Sequence, residues 1–150
     1  MRKPVLASCA MAVFALTLLL ARCAAPPQTG TASLIGTGWE LVQIQAASGT
    51  VRPPDPSKYQ LILLPDGDLS LKLDCNRGAG KWSYAPGANN SGGFTLSAVA
   101  MTRAMCPAGS LDSRIASDAT RVRSYTLAGT RLSLMLEANA GVYVWEQIQQ

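Results

Sequence analysis

Two stretches of this sequence place leucine at every second position. In residues 69–73 the leucines are separated by Ser70 and Lys72, and residues 132–136 repeat the spacing. Successive side chains of a β-strand point to opposite faces, so this pattern is typical of a strand with one buried and one exposed face. Such strands are stable only when they pair into a sheet that covers a hydrophobic core. The chain is therefore expected to fold around an antiparallel sheet.

Further strands are predicted from runs of apolar, aromatic and β-branched residues. These segments are residues 39–44, 59–64, 81–84, 93–98, 125–127 and 142–146. Residues 46–58 and 85–93 are rich in Pro, Gly and Asn and are predicted to be loops. The Pro-Asp-Gly-Asp sequence at 65–68 predicts a hairpin between 59–64 and 69–73, and a second turn is expected after Cys75.

One helix is predicted between the early and the late strands. Ser110 is placed to cap it, and Asp112 lies in its first turn, where an acidic side chain is favourable. Apolar residues then recur every third or fourth position as far as Val122, and Arg121 and Arg123 would close the last turn. The predicted fold class is α+β and mostly β, with an antiparallel rolled sheet or barrel-like meander and one inserted helix.

The first 22 residues are typical of a secretory signal peptide. Arg2 and Lys3 are followed by the uncharged segment 5–21, which is shorter than the about 20 residues of a membrane span. A retained transmembrane anchor is the alternative. Residues 23–37 are small, uncharged and contain Pro and Gly, so we expect a flexible tether before a domain at 38–147.

The end of this signal resembles the lipobox of bacterial lipoproteins. In Leu20-Ala21-Arg22-Cys23 the cysteine would become the acylated N-terminus, although Arg22 stands where the pattern has Gly, Ala or Ser. We therefore predict lipidation at Cys23, a membrane partner through the lipid anchor, and an outer-membrane protein that faces the periplasm. Ordinary cleavage, which would release a soluble periplasmic or secreted protein, is the alternative.

The positive charge of the chain belongs mainly to this signal. The sequence has 13 basic and 9 acidic residues, a net charge of +4. Without Arg2, Lys3 and Arg22 it has 10 basic and 9 acidic residues. The remaining chain carries no block of Lys or Arg, so we predict no nucleic-acid partner.

The four cysteines leave one possible intramolecular pair. Cys9 lies in the signal and Cys23 at its end, so Cys75 and Cys106 remain. An exported protein meets an oxidising compartment, where disulfides persist, and we predict a bond between these two. Two free buried thiols are the alternative. Two cysteines without histidine fall short of a structural zinc site, so no metal or cofactor is predicted.

The sequence also argues against catalysis. It contains no histidine, which excludes Ser-His-Asp and Cys-His arrangements. The carboxylates of Asp66 and Asp68 lie in a predicted turn, and no phosphate-binding Gly-x-x-x-x-Gly-Lys loop is present. We predict no enzymatic activity and no catalytic residues.

Several short patterns together resemble the META/HslJ domain family across residues 38–147. The residues that carry the resemblance, beside Cys75 and Cys106, are Trp39, Asn76, Arg77, Gly80, Thr102 and Met105. The resemblance implies an antiparallel β-fold with one helix, and a link to heat shock, novobiocin tolerance and secretion or virulence. It assigns no enzymatic reaction. Family members often carry a glutamate early in the helix; residues 111–115 have none, so its role is not transferred.

These residues lead to one expectation about structure and one about function. The Cys75–Cys106 bond should pin the third strand to the segment before the helix, with Asn76 and Gly80 shaping the turn and Thr102 and Met105 packing or bonding there. The protein is expected to be an envelope lipoprotein that supports stress or antibiotic tolerance by binding an envelope protein. The alternatives are a carrier of small lipophilic molecules or peptides, in the interior or mouth of the sheet, and an inhibitor of a hydrolase.

Overall fold

A computed structural model of the protein describes residues 33–149, which form a closed antiparallel barrel. The strands are β1 (Thr37–Ala46), β2 (Gly49–Val51), β3 (Tyr59–Leu63), β4 (Asp68–Leu73), β5 (Asn76–Pro86), β6 (Ser91–Met101), β7 (Val122–Ala128), β8 (Arg131–Leu136) and β9 (Val142–Gln147). One α-helix, α1 (Asp112–Ala119), lies between β6 and β7 in this part of the chain. The predicted signal peptide and the lipidation site at Cys23 lie outside the described residues.

Pairing of the first strand with the last closes the barrel. From β3 to β9 each strand pairs with its neighbour in the sequence, and β1 pairs with both β3 and β9. Trp39 lies opposite Leu61 on one side and opposite Gln147 on the other. β2 pairs with the end of β1 and adds to this eight-stranded ring. The predicted mostly β, rolled antiparallel fold with an inserted helix is confirmed.

The interior of the barrel is filled by side chains. The leucines of residues 69–73 and 132–136 are all buried, as their alternation predicts. An eight-stranded barrel is just wide enough for its own side chains to fill it. The cavity beneath α1, between Leu61, Ile115 and Tyr143, measures about 20 Å³, which is room for about one water molecule.

Helix α1 covers a gap in the wall of the barrel. β6 pairs with β7 only through residues 91–93, so the two strands separate beyond Phe94. The buried side chains of Ile115 and Ala119 belong to the barrel core. The helix therefore seals the core at the place where the ladder between β6 and β7 stops.

The helix is shorter than the sequence predicted. It ends at Ala119, and Val122 and Arg123 belong to β7. Val122 lies opposite Leu136 in the ladder between β7 and β8. Val122 fits the spacing of the apolar residues along the helix only by coincidence. It is buried because it is the first inward-facing residue of β7.

The prediction of a turn around Asn76 and Gly80 was wrong, because both residues lie within β5. The turn occupies Asp74 and Cys75, with Asp74 in the left-handed region at φ 58°. Instead of two short strands and a loop, β5 and β6 form one long hairpin. A Cβ at residue 80 would lie 2.8 Å from the carbonyl oxygen of Ser97, so glycine allows β6 to approach closely.

Two predicted irregular segments contain regular structure. The expected loop at 46–58 holds β2 and a 3₁₀ turn at Pro56–Lys58. Leu34 is 3% exposed and belongs to the core, and β1 begins at Thr37. Packed structure therefore starts inside the segment predicted to be a tether. Within residues 33–149, no helix is long and apolar enough to cross a membrane.

Candidate functional site: a groove beside the disulfide

An open groove of about 820 Å³ lies between the end of β6 and α1. One wall is residues 99–105, which comprise the last residues of β6 and the segment that follows. The other wall is formed by small and acidic helix residues, and Asn76 lies between the two. The helix residues are Asp112, Ser113, Ala116 and Ser117.

A disulfide fixes the end of the first wall. Cys75, in the turn between β4 and β5, is bonded to Cys106, and their Cα atoms are 5.5 Å apart. Cys106 directly follows residues 99–105. The disulfide thus attaches this irregular segment to the end of a paired hairpin.

Asn76 connects the wall to the rest of the domain. It is 3% exposed, and every hydrogen-bonding atom of its amide has a partner. Oδ1 accepts from the N–H of Ala104 and from the hydroxyl of Thr102, each at 2.8 Å. Nδ2 donates to the Ala104 carbonyl at 3.0 Å and to Asp112 Oδ2 at 2.9 Å. The side chain therefore pairs with the backbone of Ala104 and joins both walls of the groove.

Thr102 and Arg77 extend this link along the backbone. The N–H of Arg77 donates to Thr102 Oγ1, and the N–H of Thr102 donates to the Arg77 carbonyl, both at 2.9 Å. The guanidinium of Arg77 donates to the carbonyls of Asp74 and Asn76 at 3.2 Å. Arg77 therefore stabilises the turn and is not part of the groove.

The start of α1 is held by side chains from the barrel. The N–H of Leu111 donates to the hydroxyl of Tyr59 at 3.1 Å. Leu111, not the predicted Ser110, is the N-cap residue, while Ser110 Oγ accepts from the N–H of Asp112 at 3.4 Å. Burial raises the pKa of Asp112, but hydrogen bonds from Ser113, Ser110 and Asn76 outweigh it and hold that pKa below its ordinary 3.8.

The other end of the helix is tied to the barrel through Asp118. The hydroxyl of Tyr143 donates to Asp118 Oδ2 at 2.7 Å, and Arg121 lies 3.0 Å from Oδ1. Burial and the nearby Asp118 carboxylate raise the pKa of Tyr143 well above its ordinary 10.0. Both ends of the helical wall are therefore fixed.

Met105 does not pack at this junction, contrary to the prediction. Its side chain is 99% exposed at the rim of the groove. The preceding residue, Ala104, is hydrogen-bonded to Asn76, and the following residue, Cys106, is in the disulfide. Since both neighbours are bonded to the domain, the backbone of Met105 is held with its side chain in solvent.

The predicted site residues fall into two groups. Asn76, Thr102 and Met105 meet at the groove. Trp39 lies in the core, 1% exposed, and its Nε1 donates to Thr37 Oγ1 at 2.8 Å. Sequence reasoning placed Asp112 only in the first turn of the helix and missed its bond to Asn76, because a contact across 36 positions has no local signal.

The groove is lined mainly by backbone groups and small side chains, with two charged groups among them. Its charged groups are the Asp112 carboxylate, engaged by Asn76, and the exposed Arg103 guanidinium. Across residues 33–149, no three side chains of His, Cys, Asp or Glu come together in a way that could hold a metal ion. The arrangement exposes backbone groups, small side chains and one methionine to solvent.

Comparisons with known proteins agree with this fold. The family model of the META domain matches residues 32–148. The chain is similar to a solved NMR structure of a protein from Burkholderia xenovorans, with a TM-score of 0.62 and 20% identity over 78% of this chain and 85% of that chain. It is also similar to a crystal structure of a DUF4847 family protein from Bacteroides vulgatus, with a TM-score of 0.54 and 13% identity over 77% and 94% of the two chains. No curated protein matched.

Proposed function

Because this chain belongs to the META domain family, we propose that it is a non-enzymatic binding protein of the bacterial envelope. In this proposal Cys23 carries a lipid anchor in the outer membrane, and the domain faces the periplasm. Its role is to support stress or antibiotic tolerance, of the novobiocin type, by binding another envelope protein through the groove.

The observation that carries the proposal is the exposure of Met105. An apolar side chain that is 99% exposed is removed from water only when a partner covers it, and that burial is favourable. Methionine adapts to irregular surfaces and is enriched at protein interfaces. Because Ala104 and Cys106 are both fixed, binding there orders little backbone, which lowers its entropic cost.

A carrier of lipophilic molecules is less well supported. Such a protein needs a concave, mostly apolar cavity. The cavity beneath α1 measures only about 20 Å³, and the groove outside is lined by polar groups that include Thr102, Arg103 and Asp112. These features favour a protein partner over a small apolar ligand.

The proposed anchor would hold the groove close to the membrane. Leu34 already packs in the core of the domain, and ten residues, 24–33, lie between it and Cys23. A fully extended chain of that length spans at most about 35 Å. The partners within reach are therefore membrane proteins and proteins that lie close to the same membrane.

Site-specific cross-linking tests the proposal. A photo-reactive amino acid is placed at Met105 in the native host, and membranes are irradiated and examined by mass spectrometry. The matched control carries the same amino acid at Ser70, which is exposed on β4. We expect a discrete cross-linked envelope protein from position 105. Added protein with the Met105→Glu substitution should compete for this partner weakly or not at all. Equal labelling from both positions, or none from 105, would refute the proposal.

A further inference from the structure

The groove contains an unpaired strand edge. β6 pairs with β5 along its length on one side, but on the other side β7 pairs only with residues 91–93. The edge of β6 that borders the groove is residues 99–101. A free edge exposes a row of backbone donors and acceptors, and closed barrels ordinarily have none.

The direction of the free backbone groups follows from one hydrogen bond. The N–H of Thr102 donates to the Arg77 carbonyl on β5 at 2.9 Å. Backbone groups of successive strand residues point to opposite edges, so those of Met101 and Val99 point away from β5 and toward α1. Among the described residues, no hydrogen bond from the helix or a loop reaches either of them.

The opposite wall leaves room for a main chain. Beyond Asp112 at the start of the helix, the helix residues that line the groove are small: Ser113, Ala116 and Ser117 lie three and four positions apart and share one face. Together with the edge of β6 they bound the space of about 820 Å³. Long side chains at these helix positions would cover the edge of β6, which is one way in which proteins protect a free strand edge.

We propose that the groove binds an extended segment of a partner protein, which adds to β6 as a further strand at residues 99–101. This inference rests on the proposed function and states how the partner is held. The segment continues the ladder on β6 beyond the point where β7 leaves it. Its alternate N–H and C=O groups pair with Val99 and Met101, which a helix or a small apolar molecule cannot do.

The surroundings of the edge define the chemistry of this segment. Residues directed at α1 must be small, because Ala116 and its neighbours approach there. Proline is excluded where an N–H is donated to the ladder. The guanidinium of Arg103 makes no ion pair within residues 33–149, and it favours an acidic residue at that end of the segment.

Random linear peptides of twelve residues provide the probe. Peptides are selected by display on the purified, oxidised protein, and the best binder is synthesised with an N-methyl group at each position in turn. We expect methylation at alternate positions of the paired stretch to weaken binding at least tenfold, and methylation between them to be tolerated. Tolerance of N-methylation at every position would overturn strand addition.

Hydrogen exchange reports on the protein side of the same contact. The amides of Val99 and Met101 should exchange rapidly in the free protein and slow at least tenfold when the peptide binds. The amide of Thr102, already bonded to Arg77, is the internal control and should change little. If the peptide slows exchange at other amides but not at those of Val99 and Met101, it binds elsewhere and the proposal is overturned.

A pair of variants separates the groove from the rest of the surface. Ser113→Trp fills the groove from an exposed helix position and should weaken the selected peptide at least tenfold, while Ser70→Trp on β4 should not. Thermal unfolding of both variants checks that the fold is retained, and a library that yields no binder sensitive to Ser113→Trp refutes the proposal. Cross-links from Met105 without edge protection would leave the proposed function standing and remove only strand addition.

Discussion

The side-chain amide of Asn76 donates to the carboxylate of Asp112 over 2.9 Å and thereby joins the first residue of β5 to the first turn of α1. The same amide holds Ala104 in the opposite wall of the groove. One buried residue therefore sets the distance between the two walls. The groove is a rigid feature of the domain, not the product of a loose loop.

Removing this amide should destabilise the domain. Asn76→Ala leaves the backbone of Ala104 without its partner and removes one of the hydrogen bonds to the Asp112 carboxylate, which is expected to lower the free energy of unfolding by about 2–4 kcal/mol. Urea denaturation measures the change, with Ser70→Ala as the surface control. A loss below about 0.5 kcal/mol, the range of ordinary surface substitutions, would contradict the central role of Asn76.

A charge at the same position should make stability depend on pH. Asn76→Asp places a second carboxylate against Asp112, and two like charges at hydrogen-bonding distance cannot both ionise without a large penalty. The variant should therefore lose more stability relative to the native protein at pH 7 than at pH 3, where one carboxyl is protonated. An equal loss at both pH values would mean that the two groups do not face each other.

Reduction of the disulfide should lower stability by an amount set by its loop. The bond closes 31 residues, and the chain-entropy relation gives about 3.7 kcal/mol for that length. Denaturation with and without reductant measures the loss. The Cys75→Ser/Cys106→Ser variant is the control and should not respond to reductant. Alkylation of both cysteines in the untreated native protein would contradict the bond.

The hydrogen bond from the Tyr143 hydroxyl to Asp118 should stabilise the fold near neutral pH and should lose this effect in alkali. The pKa of Tyr143 is raised in the folded state by burial and by Asp118. The contribution is therefore complete below the ordinary pKa of about 10 and is lost as pH rises above it, because the unfolded chain ionises first. Tyr143→Phe should cost about 1 kcal/mol at pH 8.

Measuring stability at two pH values tests whether this contribution falls as pH rises. The stability difference between native protein and Tyr143→Phe should shrink between pH 8 and pH 10.5. Tyr84→Phe, at a partly exposed residue, is the control. A difference that grows with pH would show that the hydroxyl is not donated to Asp118.

Two adjacent glycines should respond differently to the same substitution. A Cβ at Gly92 would clash with the carbonyl oxygen of Ala85 across the hairpin of β5 and β6. At Gly93 the nearest atom is the Ala85 Cβ at 3.5 Å, an ordinary contact. Gly92→Ala should therefore cost at least about 2 kcal/mol, and Gly93→Ala should be neutral or stabilising by up to about 1 kcal/mol. Equal melting temperatures would argue against the hairpin register.

The mass of the protein from native membranes tests the proposed anchor. We expect the mass of residues 23–150 plus an acylated glyceryl group, and a shift of the protein to the soluble fraction in Cys23→Ser. A native protein that lacks acyl chains and is cut near the same position would show that Arg22 prevents lipidation. The proposed binding role of the groove does not depend on that result.

Local patterns predicted most of the barrel but not the long hairpin. The alternating leucines of β4 and β8 mark their buried faces directly, because the period of two is a local property. Gly78 and Gly80 looked like turn residues, since the sequence cannot distinguish a glycine that allows a turn from one that allows close approach of a neighbouring strand. Gly80 is of the second kind, next to the bulge where Ala98 has φ 51°.

The candidate site was predicted only in part for a related reason. The cysteine count and the export signal indicated a bond between Cys75 and Cys106, and the resemblance to the META/HslJ family drew attention to Asn76 and Thr102. The exposure of Met105 is set by the bonds of its two neighbours to distant parts of the chain. Local patterns carry no record of such contacts, and an apolar residue in a motif was therefore expected to pack.

Closure of the barrel through Trp39 and Gln147 also has a kinetic consequence. The seam between β1 and β9 joins strands from opposite ends of the domain, which gives the fold a high contact order. Rates of folding fall as contact order rises, because distant segments must meet before their contacts stabilise the structure. If the chain is exported as proposed, the ring stays open until β9 has crossed the membrane. The time for which the barrel remains incomplete is then set by how soon β9 crosses the membrane.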